Sequence, residues 1–240
     1  MIGSRHIRYF ITITTWFVFI HVDASQLNDK ILFNQQADNR SWHLGFGVGL
    51  HLQELAITNN GYITPDNENW VVENNSYSPG FNLCGLVDFR LSNFFNLRLS
   101  PGLMFGNRNL FMRELGDGET MKHSIKSVYL LCPFELKYSA IRFHNVKPYI
   151  DGGIIPAADV NRRRGEVVAL KCFDLLASIG FGCDIYMPYF KLNPELKFCF
   201  GLTDAIQHNR QDLNDDESIK ITQSIKRGTT SMIVLTFYFE

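Results

Sequence analysis

Beyond residue 24 the chain has no apolar run approaching the roughly 20 residues that a membrane-spanning helix needs. It lacks a charge surplus too. The formal net charge is −1 over 240 residues, so neither nucleic acid nor a charged polymer is an implied partner. Its cysteines, Cys84, Cys132, Cys172, Cys183 and Cys199, are odd in number and show no C-x-x-C spacing, which argues against a disulfide framework or a thiolate metal site. Each sits in an apolar alternating stretch, the place of a small hydrophobe. No G-x-S-x-G and no H-x-x-x-H is present, so no hydrolase motif, metal site or cofactor site is indicated.

What the chain has in quantity is apolar and aromatic surface, 45% hydrophobic and 13% aromatic with 20 Phe, enough for a sizeable core in one medium domain. The N-terminus reads as an address: Arg5, His6 and Arg8 lead into YFITITTWFVFI, residues 9–20, and Val22-Asp23-Ala24 offers small residues at a cleavage spacing. The expected organisation is a signal peptide over 1–24, a short segment over 25–41 and one domain over 42–240. An exported chain without a spanning helix can enter a membrane only through strands.

Period-two alternation recurs eight times. The first segment sets Trp42, Leu44, Phe46, Val48, Leu50 and Leu52 against His43, Gly45, Gly47, Gly49, His51 and Gln53. Further segments begin near Phe81, Phe95, Val128, Val146, Phe173, Phe190 and Met232. Connections alternate in length: long or medium stretches at Glu54 to Pro79, Asn107 to His123, Ala157 to Lys171 and Asp204 to Gly228, and short turns near Asn93, after Ser139 and at Met187-Pro188. This predicts an all-β fold, an eight-stranded antiparallel up-and-down transmembrane β-barrel with long loops on one end and short turns on the other. A soluble barrel or sandwich shares the period. The apolar face here, however, is almost free of charge and the polar face is rich in Gly, which suits lipid outside and a crowded lumen inside.

Eight strands enclose a lumen that side chains can fill. The inward set contains Asp88, Arg90, Arg98, Glu135, Lys137, Lys147, Asp151, Asp174, Asp184, Lys191, Glu195 and Lys197, six acids and six bases, which predicts a network of paired charges. Turn parity predicts Asp88 opposite Arg98, and Asp184 opposite Lys191. His43, His51 and Ser100 also face inward without a catalytic motif. Arg162-Arg163-Arg164 forms a basic run suited to lipopolysaccharide phosphates or a partner.

The hairpin PGFNLCGLVDFRLSNFFNLRLSPGLMFGNRNL and the following KSVYLLCPFELKYSAIRFHNVKPYIDGGI resemble the PorT family of Bacteroidetes outer-membrane β-barrels. Their R-x-x-P-G-L-x-F pattern reads Arg98-Leu99-Ser100-Pro101-Gly102-Leu103-Met104-Phe105 here. The resemblance implies a place in the outer membrane and a part in the type IX secretion system, beside other secretion subunits. That family is described as a protein-translocating porin, yet eight strands are too few to pass a folded protein, so a non-enzymatic accessory or assembly role is expected. A structural or adhesive barrel acting through its loops, and a lipid-modifying barrel enzyme, are the alternatives.

Overall fold

The computed structural model describes residues 32–61, 70–73, 77–114, 120–161, 170–207 and 224–240. The predicted signal peptide over 1–24 and Arg162, Arg163 and Arg164 lie outside the described residues. Phe33–Glu240 forms one compact unit.

The strands are β1 (Trp42–Asn59), β2 (Trp70–Glu73), β3 (Ser78–Arg90), β4 (Phe95–Leu99), β5 (Gly102–Glu114), β6 (Thr120–Leu131), β7 (Phe134–Ser139), β8 (Val146–Asp159), β9 (Phe173–Tyr186), β10 (Lys191–Gly201) and β11 (Ile225–Phe239). The pairing is antiparallel throughout. It runs from β1 through β3, the β4/β5 pair, the β6/β7 pair, β8, β9, β10 and β11, and β11 pairs back to β1 from Phe46↔Phe239 to Thr58↔Arg227. The sheet therefore closes into a ring of eight strands, and β2 is a short addition to the outer end of β5.

Two of the eight are interrupted for a covalent reason. Ser100-Pro101 separates β4 from β5, and Cys132-Pro133 separates β6 from β7. Proline has no N–H to give a ladder. The register Leu99↔Phe134 resumes unshifted at Gly102↔Leu131, so the two prolines share one gap in the wall, spanned by Ser100 N donating to Pro133 O at 3.4 Å.

The apolar faces read from the sequence are the outward ones: Trp42, Leu44, Phe46, Val48, Leu50 and Leu52 on β1 are all exposed, as are Phe81, Leu83, Leu103, Leu130, Leu136, Ile150, Ile179, Phe181 and Leu235 on other strands. From Trp42 to Leu52 β1 rises about 34 Å at about 3.4 Å per residue. A tilt of about 40° reduces that to about 26 Å along the axis, the height of the apolar band of such barrels, about 25 Å. Exposed Trp42, Phe89, Phe94, Phe95 and Tyr138 crowd the short-turn edge, with Phe95 and Tyr138 packed at 5.1 Å, the position of an interfacial aromatic girdle.

Beyond the band the strands continue and their polarity inverts. On β1 Leu55 and Ile57 point inward and are buried while Thr58 is exposed; on β11 Thr229 and Ser231 take the outward positions that Ile233, Leu235 and Phe237 hold lower down. The stretches read as loops from Glu54 and from Asn107 thus begin as strand. Outside the hydrocarbon a polar outer face is solvated and the buried face must be apolar. Leu55, Ile57, Val72, Leu110, Leu170, Ala205, Ile206 and Ile225 form that outer cluster. A second cluster, with Met104, Tyr129, Leu131, Leu176, Cys199 and Val234, fills the lumen below it. All five cysteines are free thiols.

Candidate functional site

The lower third of the lumen, toward the short turns, is a buried ionic network centred on Arg98. The connection from Leu91 to Phe94 that joins β3 to β4 pairs residues symmetrically about Asn93, which sets Asp88 opposite Arg98 and Arg90 opposite Asn96. The Arg98 guanidinium is fully buried. Nη2 donates to Asp88 Oδ2 at 3.2 Å, Nη1 donates to Glu195 Oε2 at 2.6 Å and to the Tyr149 hydroxyl at 3.2 Å, and Glu240 Oε1 lies 3.7 Å from Nη2. The Tyr149 and Tyr238 rings flank it at 5.0 and 5.2 Å.

Both rings occupy space that a glycine leaves open. Tyr238 stands opposite Gly47 and Tyr149 opposite Gly182; a Cβ on Gly47 would meet the Tyr238 ring at 2.7 Å, and one on Gly182 the Tyr149 hydroxyl at 2.6 Å. Around this centre Lys137 Nζ donates to Asp184 at 2.7 Å and Lys197 Nζ bridges Glu135 at 2.7 Å and Glu195 at 2.8 Å. Lys191 pairs with Glu240.

Three of the expected network residues lie elsewhere. Arg90 is half-exposed at the short-turn mouth, donating to Asp38 O at 2.6 Å and Asn93 Oδ1 at 2.6 Å. Lys147 is at the same mouth, 3.2 Å from Asp38 Oδ1. Asp174 sits at the opposite end, where its Oδ1 accepts from Thr203. Strand parity assigns a face and is silent on height, and these three differ in height. The balance also changes, because Asp88, Glu135, Asp151, Asp184, Glu195 and Glu240 face Arg98, Lys137, Lys191 and Lys197, six carboxylates to four cations.

The expected Asp184 to Lys191 pairing is two residues out of register: Lys191 stands opposite Tyr186, and Asp184 pairs with Lys137 instead. The turn centre is Pro188-Tyr189 rather than Met187-Pro188, closed by Met187 N donating to Phe190 O at 2.9 Å. Proline prefers the second turn position and is disfavoured at the third, a signal present in the sequence.

Asp151 is the anomaly. It is buried, with neither oxygen hydrogen-bonded, and it lies with Glu135 and Glu195 so that one oxygen of each falls within 4.8 Å of the others. The fold thus assembles from β7, β8 and β10 a carboxylate cluster that no sequence spacing displays. Lys197 already occupies its centre against two of the three. His43, His51 and Ser100 do not converge: His43 and His51 are about 27 Å apart along β1, and Ser100 lies at the proline gap on β4's end.

Asp38, in the segment before β1, was not among the candidates. Its Oδ1 accepts from the Tyr186 hydroxyl at 2.6 Å and from Lys147, and Oδ2 lies 3.5 Å from Arg142, whose guanidinium covers the Tyr186 ring at 3.6 Å and holds Phe33 O. Burial pushes the Asp38 carboxyl up, but the Tyr186 hydrogen bond and the two cations outweigh it and hold it below the usual carboxylate range. Residues 33–39 are thereby tied across the short-turn mouth.

The sequence matches the outer membrane protein beta-barrel domain family over residues 25–207. Similar solved structures are Neisserial surface protein A (8% identity, 83% of this chain and 98% of that one, TM-score 0.44), the outer membrane protein OprG of Pseudomonas aeruginosa (12%, 81% and 92%, 0.40) and Ail, the attachment invasion locus protein of Yersinia pestis (9%, 83% and 98%, 0.30). No curated protein matches its sequence. The family match, covering most of the chain, agrees with the closed eight-stranded ring and the apolar band: the chain belongs to the outer membrane protein beta-barrel domain family, and its place is the outer membrane.

Proposed function

We propose that this barrel is a non-enzymatic component of the type IX protein secretion system, held in the outer membrane by its strands and working through its two ends. The observation that carries the non-conducting part is the filled lumen, in which Arg98, Lys137 and Lys197 and their carboxylates are buried beneath two apolar clusters. Eight strands leave room for packed side chains and little else. What supports the secretion role is the sequence resemblance to the PorT family in the Arg98 to Phe105 stretch and the strands after it.

Contacts with other subunits then fall on the short-turn mouth, where residues 33–39 are anchored, and on the strand extensions above the band. Arg162, Arg163 and Arg164, which follow β8 in the sequence, supply a basic site for lipopolysaccharide or a partner, and residues 1–24 serve as the cleaved export signal. Deletion of the gene is expected to leave cargo proteins with C-terminal sorting domains in the periplasm. Normal surface display of that cargo in the deletion strain removes the proposal.

A further inference from the structure

Arg108 is a fully buried cation without a counter-ion among the described residues. Its Nη2 donates to Thr230 Oγ1 at 3.4 Å and its guanidinium lies 5.0 Å from the Tyr129 ring centre, while Nε and Nη1 have no hydrogen-bond partner. Among the described residues no carboxylate is within ion-pairing distance. The network around Arg98 shows how this lumen treats a buried guanidinium otherwise, with carboxylates at 3.2 and 2.6 Å.

The neighbours of Arg108 are orphaned in the same sense. Cross-strand register places His51, Gly80, Gly106 and Ser127 in one row, as His51↔Gly80, Gly80↔Gly106 and Gly106↔Ser127. The His51 ring lies over Gly80, where an added Cβ would collide with Nε2; over Gly106 the nearest group is the Gln53 amide, whose Nε2 donates to Asn107 O at 3.2 Å, with His51 Nε2 3.1 Å from the position of an added Cβ. Both His51 ring nitrogens and Ser127 Oγ are buried without a hydrogen-bond partner. Arg108 follows Gly106 on the same inward face. Donors from β1, β5 and β6 thus gather in one part of the lumen, between the cluster of Met104, Tyr129 and Val234 below and that of Leu55, Leu110 and Ile206 above.

We propose that Arg108, His51 and Ser127 hold a small inorganic anion of the halide class inside the barrel. A buried guanidinium left unpaired is strongly unfavourable. A compact monovalent anion accepts from the guanidinium, one imidazole N–H and a hydroxyl at once, and it cancels the charge without a second charged side chain. Asp159, opposite Tyr129, and Asp174 are buried acids of this end; Asp159 Oδ1 accepts from Asn161 N at 3.0 Å, Asp174 Oδ2 has no hydrogen-bond partner, and neither carboxylate is within ion-pairing distance of Arg108. The site is structural in the first instance, because the anion ties β1, β5 and β6 together where the ring passes out of the hydrocarbon.

The test uses the full mature chain folded in detergent, with thermal unfolding followed in sodium chloride, sodium bromide and sodium gluconate at equal ionic strength. A saturable rise in Tm with chloride and bromide and none with gluconate is expected, since a ligand that binds only the folded state stabilises it in proportion to the logarithm of its concentration above Kd. The rise is expected to disappear in Arg108→Met and to shrink in Ser127→Ala. Should Arg108→Met fail to fold, chlorine NMR line broadening by the wild-type protein, reduced in Ser127→Ala, carries the same information. Identical Tm in chloride and gluconate, or a halide effect undiminished in the variants, overturns the site.

Discussion

Arg98 and Asp88 face each other across the β3–β4 hairpin with the guanidinium 3.2 Å from the carboxylate and both side chains fully buried. Arg98 also serves Glu195 and approaches Glu240, whereas Asp88 keeps Asn96 at 2.6 Å and has Lys137 at 3.9 Å. The two ends of the pair are therefore unequal. Arg98→Met strands several buried acids and is expected to cost about 3–5 kcal/mol, the range for breaking a buried ion pair. Asp88→Asn is expected to cost less, since the amide still accepts from Arg98. Urea unfolding of the detergent-folded barrel, read by intrinsic fluorescence, compares the two; equal losses would show that Arg98 works through Asp88 alone.

Gly182 and Gly47 make room for the tyrosines that flank that guanidinium. A methyl group at Gly182 displaces the Tyr149 ring, and overpacking of this kind costs about 1–3 kcal/mol. In a Tyr149→Ala background the ring is gone but the Pro194 carbonyl oxygen, 2.5 Å from the added Cβ, remains, so Gly182→Ala is expected to cost less there without becoming neutral. The double-mutant cycle measures the coupling. A penalty of equal size in both backgrounds places its origin in the backbone rather than in the ring.

The class, the strand number and the faces were legible because hydrocarbon allows almost no charge outside the ring, and alternation from Trp42 to Leu52 records that restriction residue by residue. Arg108 was not legible as a lumen residue. Above the band water replaces lipid, the outward positions Asn107 and Ser231 become polar, and the pattern that marks strands lower down reads as loop. Continuing the strict parity Met104, Gly106, Arg108 through the inversion would have found it. The partners of Asp151 and the height of Arg90, Lys147 and Asp174 depend on the stagger between strands, which one strand's pattern does not contain.

Asp151 follows from the unsatisfied carboxyl between Glu135 and Glu195. A carboxyl group buried without hydrogen-bond partners carries its desolvation cost, so Asp151→Asn is expected to stabilise the fold by about 1 kcal/mol or more. Glu135→Gln is expected to act in the opposite direction, since Glu135 is the acceptor for Lys197 at 2.7 Å and for the Ser178 hydroxyl at 3.0 Å. Melting temperatures of the two variants should bracket the wild type, and a loss on Asp151→Asn would mean that its carboxyl group is needed.

Charge tolerance along β1 maps the edge of the hydrocarbon. Val48, outward and near mid-band, is expected to take a lysine only at about 2–4 kcal/mol, the cost at the bilayer midplane of such barrels. Thr58, on the same face beyond the inversion, is expected to take it at about 0–1 kcal/mol. Folding titrations into lipid vesicles give both numbers. Equal costs at the two positions would place Thr58 inside the membrane and the polarity inversion in error.

Asp38 makes closure of the short-turn mouth dependent on pH. Its carboxyl titrates below the ordinary aspartate value of about 3.9 because Tyr186, Lys147 and Arg142 outweigh burial. A depressed folded-state value stabilises the contact above the unfolded value and surrenders it as pH falls through the folded one. Hydrogen exchange of residues 33–41 should therefore be slower in wild type than in Asp38→Asn at neutral pH, with the difference shrinking only below about pH 4. A difference that is already gone at pH 6 assigns the anchoring to another group, with Arg142 and its bond to Phe33 O the next to substitute.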